Sequence, residues 1–146
     1  ALTILLEGYR RNPHDIALMK RIVRYSGEVK NYAQAAEFAE RIVSQSPGEN
    51  KYMHVASVCL RKLKRLEEAA DLGERHLLRD ARHVPNMLNL AEVYIAAGRE
   101  DRARHLIERV LEIEPDHARA VRLSQSMADR DARRFEHRTP GQRRAE

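Results

Sequence analysis

Residues 87–115 read MLNLAEVYIAAGREDRARHLIERVLEIEP, and this stretch makes up most of one repeating unit of the chain. Apolar residues recur at steps of three and four on both sides of AAGRED, which predicts two helices separated by a short turn. Gly98 lies in that turn, where it is free to adopt a positive φ at the helix end. Pro115 closes the stretch because proline cannot continue a helix interior. The pattern therefore predicts an antiparallel pair of helices.

The same pattern recurs outward in both directions at a step of 34 residues. The clearest columns are Met19, Met53 and Met87, continued by Val121; Pro13, Pro47 and Pro115; His83 and His117; and Ala1, Ala35, Ala69 and Ala103. The alanine column has a physical reason, since the two helices of a pair approach closely only where a side chain is small. The chain is thus predicted to be a repeat array.

The repeating unit resembles the tetratricopeptide repeat. In the unit that ends at Pro115, the residues that match the family pattern are Leu90, Ala91, Tyr94, Gly98, Ala103 and Pro115. The other units depart from the pattern at Val23, Ser26, Lys30, Leu60, Lys64, His76 and Ala81. The resemblance implies an all-α, right-handed superhelical solenoid of antiparallel helix pairs.

The phase of the repeat predicts the domain organisation. The predicted solenoid covers residues 1–138, with a partial unit at 1–15, full units at 16–49, 50–83 and 84–117, and a capping helix at 118–138. Residues 139–146 are predicted to form a disordered basic tail. A start inside a unit indicates a chain cut from a longer array.

Composition sets further bounds on function. The formal net charge is +5 and the sequence pI is about 9.7, a balance that favours acidic partners. Cys59 is the only cysteine, so no intramolecular disulfide can form. No stretch approaches the roughly 18 apolar residues of a membrane span, which predicts no membrane insertion. The Arg- and Ala-rich composition is typical of a bacterial protein, and the compartment is left open.

The resemblance also predicts where a partner would bind. First helices of the units line the concave face of such arrays, and the residues expected to project there form a basic, partly apolar groove. The predicted groove residues are Lys20, Arg24, Lys51, His54, Val58, Arg61, Leu88, Glu92, Ile95, Arg119 and Arg122. Such a groove suits a protein or peptide segment that is acidic and carries apolar anchors. The predicted function is therefore that of an interaction scaffold or adaptor.

The family's clamp for the carboxylate of chaperone tails can be compared residue by residue. Only Lys20 matches it, because Arg24, Val55, Pro85 and Asn89 stand at the other clamp positions. The sequence thus predicts a partner other than a chaperone tail.

Chemistry-bearing motifs point away from an enzyme. The seven histidines include no H-x-x-x-H pair, and no C-x-x-C or Gly-rich phosphate loop occurs. Asp80 lies beside His76 and His83 in sequence, but no nucleophile accompanies them, and His76 is interpreted as a satisfied, partly buried imidazole. We therefore predict no catalytic residues, no cofactor, no metal ion and no small-molecule substrate.

Two alternative functions stay open at this point. The Arg-rich cap and high pI would suit RNA binding, although the variable groove columns and scarce aromatic residues make a nucleic-acid partner the weaker prediction. Exposed apolar array ends would allow self-assembly into a homo-oligomer.

Overall fold

The computed structural model describes residues 2–136, and within them the chain forms eight α-helices and no strand. The helices are α1 (Leu2–Arg11), α2 (Ile16–Glu28), α3 (Tyr32–Gln45), α4 (Asn50–Lys62), α5 (Leu66–Arg79), α6 (Val84–Ala96), α7 (Glu100–Ile113) and α8 (Ala118–Glu136). Each helix packs against its neighbours in sequence, as in a helical-repeat solenoid. This confirms the predicted all-α array of helix pairs. Ala1 and residues 137–146, which carry the predicted end of the capping helix and the tail, lie outside the described residues.

One column of the repeat caps the first helix of each pair. Asp15, His83 and His117 each accept the backbone N–H three residues further on, with distances of 3.0, 3.1 and 3.3 Å from the side-chain acceptor to the nitrogen. Such a bond satisfies one of the free N–H groups of a helix start. Glu49 occupies the same column before α4 but makes no capping bond. Histidine thus recurs at positions 83 and 117 because both side chains cap a helix.

The turn inside each pair uses a left-handed residue at the predicted glycine position. Gly98 has φ of 78°, and Lys30 and Lys64 have φ of 59° and 64° at the equivalent places. Two of the three repeats therefore keep the turn although a side chain replaces glycine. A side chain in this conformation costs roughly 1 kcal/mol relative to glycine.

Lys64→Gly is expected to raise the free energy of unfolding by about 1 kcal/mol, because glycine adopts this backbone conformation without the steric penalty. Urea denaturation followed by circular dichroism measures the change. Lys62→Gly is the control: this lysine lies in the last turn of α4, where glycine should instead destabilise by about 1 kcal/mol. A loss of stability in Lys64→Gly would contradict the argument.

The core is built from the repeated apolar columns. Met19, Met53 and Met87 are fully buried, and the alanines of the close-approach column are at most 1% exposed at positions 35, 69 and 103. Small side chains there let the two helices of each pair pack closely, as the sequence predicts. Within the described chain, no helix has the length and apolar character that crossing a membrane requires.

Candidate partner-binding face

The first helices α2, α4, α6 and α8 are joined side by side by contacts between their polar residues. We call the surface formed by α2, α4, α6 and α8 the first-helix face. Glu92 of α6 contacts Arg61 of α4 on one side and Arg119 of α8 on the other. Lys20 of α2 reaches Glu49 at the start of α4, with 2.7 Å between Nζ and Oε1. Of the predicted groove residues, Lys20, Arg61, Glu92 and Arg119 thus take part in the contacts that connect the first helices.

A cleft between α2 and α4 forms the N-terminal part of this face. Its volume is about 480 Å³, and its lining residues are Lys20, Arg21, Val23, Arg24, Gly27, Lys51, Tyr52 and Val55. The ammonium groups of Lys20 and Lys51 lie 5.6 and 5.8 Å from the centre of the Tyr52 ring, within cation–π range. The hydrogen bond to Glu49 raises the pKa of Lys20. The cleft therefore combines positive charge with an aromatic wall.

The central part of the face is a hydrogen-bonded network that reaches into the core. Arg61 donates from Nε to Asn89 Oδ1 at 2.8 Å, and Asn89 donates from Nδ2 to Ser57 Oγ at 2.9 Å. Ser57 in turn donates to the carbonyl oxygen of Ala69 on α5 at 2.7 Å. Ser57 and Asn89 are both buried. This network, together with Glu92, holds the Arg61 guanidinium in one position.

Ion pairs reduce the predicted excess of basic groups on the face. Arg61 and Arg119 share Glu92, Lys20 is paired with Glu49, and Arg24 contacts Glu28 within its own helix. The exposed cations of the predicted set are Arg24, Lys51 and Arg122. These three are the side chains of that set that a partner can reach most freely.

The apolar strip is narrower than the sequence predicts. Leu88 is only 2% exposed because it packs into the core of α6–α8, so it offers no surface to a partner. Val58 and Ile95 are half-buried and remain partly accessible. Two apolar contact points rather than three are therefore available.

His54 of the predicted groove belongs to a cluster of three imidazoles. Its ring lies 6.2 Å from that of His76 on α5 and 5.3 Å from that of His83 before α6, between ring centres. Burial lowers the pKa of His54 to about 4, with the neighbouring histidines and arginines adding to the shift. Burial also lowers the pKa of His76. The charged forms of His54 and His76 are thus disfavoured.

The interpretation of His76 as a satisfied imidazole needs correction. Its ring is 2% exposed, and within the described residues its Nδ1 atom is buried without a hydrogen-bond partner, as is that of His54. Over the same residues no group of three or more His, Cys, Asp or Glu side chains is arranged to hold a metal ion. His83 also uses its Nδ1 as the acceptor of a helix cap.

Comparison with known proteins finds the same repeat in part of the chain. Residues 60–127 match the sequence model of the family described as "Tetratricopeptide repeat". "Tetratricopeptide repeat protein 21A" of Mus musculus is 29% identical over 135 residues, which is 86% of this chain but 10% of that protein. The chain therefore spans about a tenth of the length of this relative.

Solved structures show the same fold at low sequence identity. YrrB, described as a TPR protein with an unusual peptide-binding site, has a TM-score of 0.79 at 16% identity over 85% of this chain and 64% of that one. MamA residues 41–end from Desulfovibrio magneticus RS-1 give a TM-score of 0.81 at 14% identity, covering 90% and 74%. The first TPR of Spaghetti (RPAP3), bound to an HSP90 peptide, gives 0.75 at 15% identity, covering 80% and 93%.

Proposed function

Because residues 60–127 match the tetratricopeptide repeat and the helices have the fold of such proteins, we propose that the chain is an interaction scaffold that binds an acidic segment of a partner protein on the first-helix face. The observation that supports the proposal is the exposure of the cations Arg24, Lys51 and Arg122 on first helices, the first two of which line the cleft walled by Tyr52. Carboxylates of a partner would pair with these cations. The half-buried Val58 and Ile95 would accept its apolar anchors.

Peptide binding by proteins of the same fold supports this reading. YrrB carries a peptide-binding site, and the Spaghetti domain was solved with a chaperone peptide. The present chain has Val55, Pro85 and Asn89 at clamp positions of the family, and its Asn89 is engaged by Arg61 and Ser57. The proposed partner is therefore an internal acidic segment with apolar residues rather than a chaperone tail.

The triple variant Arg24→Glu/Lys51→Glu/Arg122→Glu is expected to weaken partner binding by at least about tenfold, since three attractive contacts become repulsive. Arg61 is left intact because its guanidinium also serves the buried network. The measurement is capture from native lysate with identification by mass spectrometry, followed by titration of the identified segment as a labelled synthetic peptide.

A second triple variant on second helices, Arg11→Glu/Arg75→Glu/Arg102→Glu, is the matched control, with the same charge change at exposed positions of α1, α5 and α7. It is expected to bind as the unmodified chain does. Equal loss in both variants would show that net charge alone governs binding. Recovery of RNA in place of protein would favour the nucleic-acid alternative, and recovery of the chain itself would favour self-assembly.

A further inference from the structure

The apolar core of the described chain is divided at the joint between α5 and α6. One cluster of buried residues is formed by α1 to α5 together with Val93 of α6, and a second is formed by α6 to α8. Ala70 of α5 packs against both clusters. The array therefore consists of two apolar blocks, which meet through Ala70 and Leu77 of α5 and Val93 of α6.

Polar groups are concentrated at the same joint. Of the five buried polar residues in the described chain, Ser57, His76, Asn86 and Asn89 lie here, and Ser26 lies elsewhere. Asn86 donates from Nδ2 to the carbonyl oxygen of Gly73 at 3.0 Å across the joint. Burying apolar area stabilises a contact more than replacing hydrogen bonds to water by hydrogen bonds within the protein does. The joint is consequently less apolar than the packing within either block.

Three histidines from successive helices meet at the edge of this joint. His76 and His83 have ring centres 4.6 Å apart, and His54 packs edge-on against both rings. The buried, unpaired Nδ1 atoms of His54 and His76 leave each of these rings with a nitrogen that can take up a proton once water reaches it. The cluster thus holds potential positive charges in contact across the joint.

The charges that face the cluster oppose its protonation. His54 faces His76 of α5, His83 at the start of α6, Arg119 of α8, and Arg61 of its own helix. His76 faces His83 and Arg79, and Asp80 is the one opposing negative charge. Protonation inside the closed cluster would place like charges next to one another with little water to screen them. Opening the joint moves His54 and His76 away from His83 and Arg119 and gives water access to their rings.

We propose that the joint between α5 and α6 is a proton-sensitive hinge, in which protonation of His54 and His76, which pack against His83, separates the block of α1–α5 from the block of α6–α8. The direction follows from linkage. Histidines whose pKa is lowered in the closed state stabilise it fully above pH 6.5, and the stabilisation is lost as pH falls toward about 4 for His54. Mild acid therefore opens the hinge.

The change in the opening equilibrium with pH can be calculated from one histidine. Between a pKa of about 4 when closed and 6.5 when open, protonation of His54 favours opening about thirtyfold at pH 5 and hardly at all at pH 7.5. Partial solvent access to His54 reduces this, so we expect about tenfold.

Hydrogen exchange of the full chain, corrected for the intrinsic pH dependence, tests the hinge. Between pH 7.5 and 5.0 we expect amides of α5 and α6 to lose about tenfold in protection relative to those of α2 and α3. His76→Leu, which removes one of the two buried imidazoles that pack against His83 and keeps an apolar group, should reduce this difference. His105→Gln is the control at an exposed histidine of α7 and should behave as the unmodified chain.

An NMR titration of the histidine ring protons in the unmodified chain serves if His76→Leu folds poorly. Midpoints of His54 and His76 below those of the exposed His14 and His105 support the proposal. The proposal would be overturned if the buried and exposed histidines had equal titration midpoints. It would also be overturned if loss of protection were uniform along the chain or if His76→Leu responded to pH as the unmodified chain does.

Discussion

Leu60→Ala is expected to lower the free energy of unfolding by about 3 kcal/mol, the largest single effect that we predict for this chain. Leu60 is fully buried on α4, inside the cluster formed by α1 to α5. Truncation removes apolar contacts and leaves a cavity, because neighbouring helices of a packed array relax only in part. Urea denaturation followed by circular dichroism at pH 7.5 measures the change.

Leu78→Ala is the matched control, since it is the same substitution within the neighbouring helix. Leu78 is 88% exposed near the end of α5, so little apolar contact is lost. The free energy of unfolding of this variant is expected to stay within about 0.5 kcal/mol of that of the unmodified chain. Similar losses in the two variants would mean that the core is not organised around the buried column of α4.

Most of the fold follows from periodicity because the repeat fixes which side chains face inward. The step of 34 residues identifies the buried methionine and alanine columns, and prolines and turns limit the helices. The same step would also have revealed the capping column, in which Asp15, His83 and His117 stand one residue before a first helix. By contrast, the left-handed conformation of Lys30 and Lys64 follows from the turn itself, which overrides the preference of lysine.

The candidate site was harder to predict because its charges pair between helices that are far apart in sequence. Lys20 and Glu49 are 29 residues apart and Glu92 and Arg119 are 27 apart, so an acid and a base that are distant in sequence neutralise each other. A search for opposite charges 27 to 29 residues apart would have removed the paired basic residues from the predicted groove and left its exposed cations. No local pattern indicates the histidine cluster, which depends on how three helices pack.

Asn89→Ala is expected to lower the free energy of unfolding by about 2 kcal/mol, because it removes the centre of the buried network between α4 and α6. Arg61 Nε then loses its acceptor at 2.8 Å, and Ser57 Oγ loses the donor that reaches it at 2.9 Å. Unpaired polar groups at a buried site bear the full cost of losing water. Asn12→Ala is the control, since this asparagine is exposed beyond the end of α1. It should change stability by less than about 0.5 kcal/mol.

A double-mutant cycle separates the network from simple loss of packing. Ser57→Ala, Asn89→Ala and the double variant are compared by urea denaturation. The two side chains share a hydrogen bond, so the double variant should cost about 1 kcal/mol less than the sum of the single losses. Additive losses would show that Asn89 contributes by packing alone. Coupling of the predicted size means that α4 and α6 hold each other through polar contacts, so a partner bound beside Arg61 would act on the joint that separates the two apolar blocks.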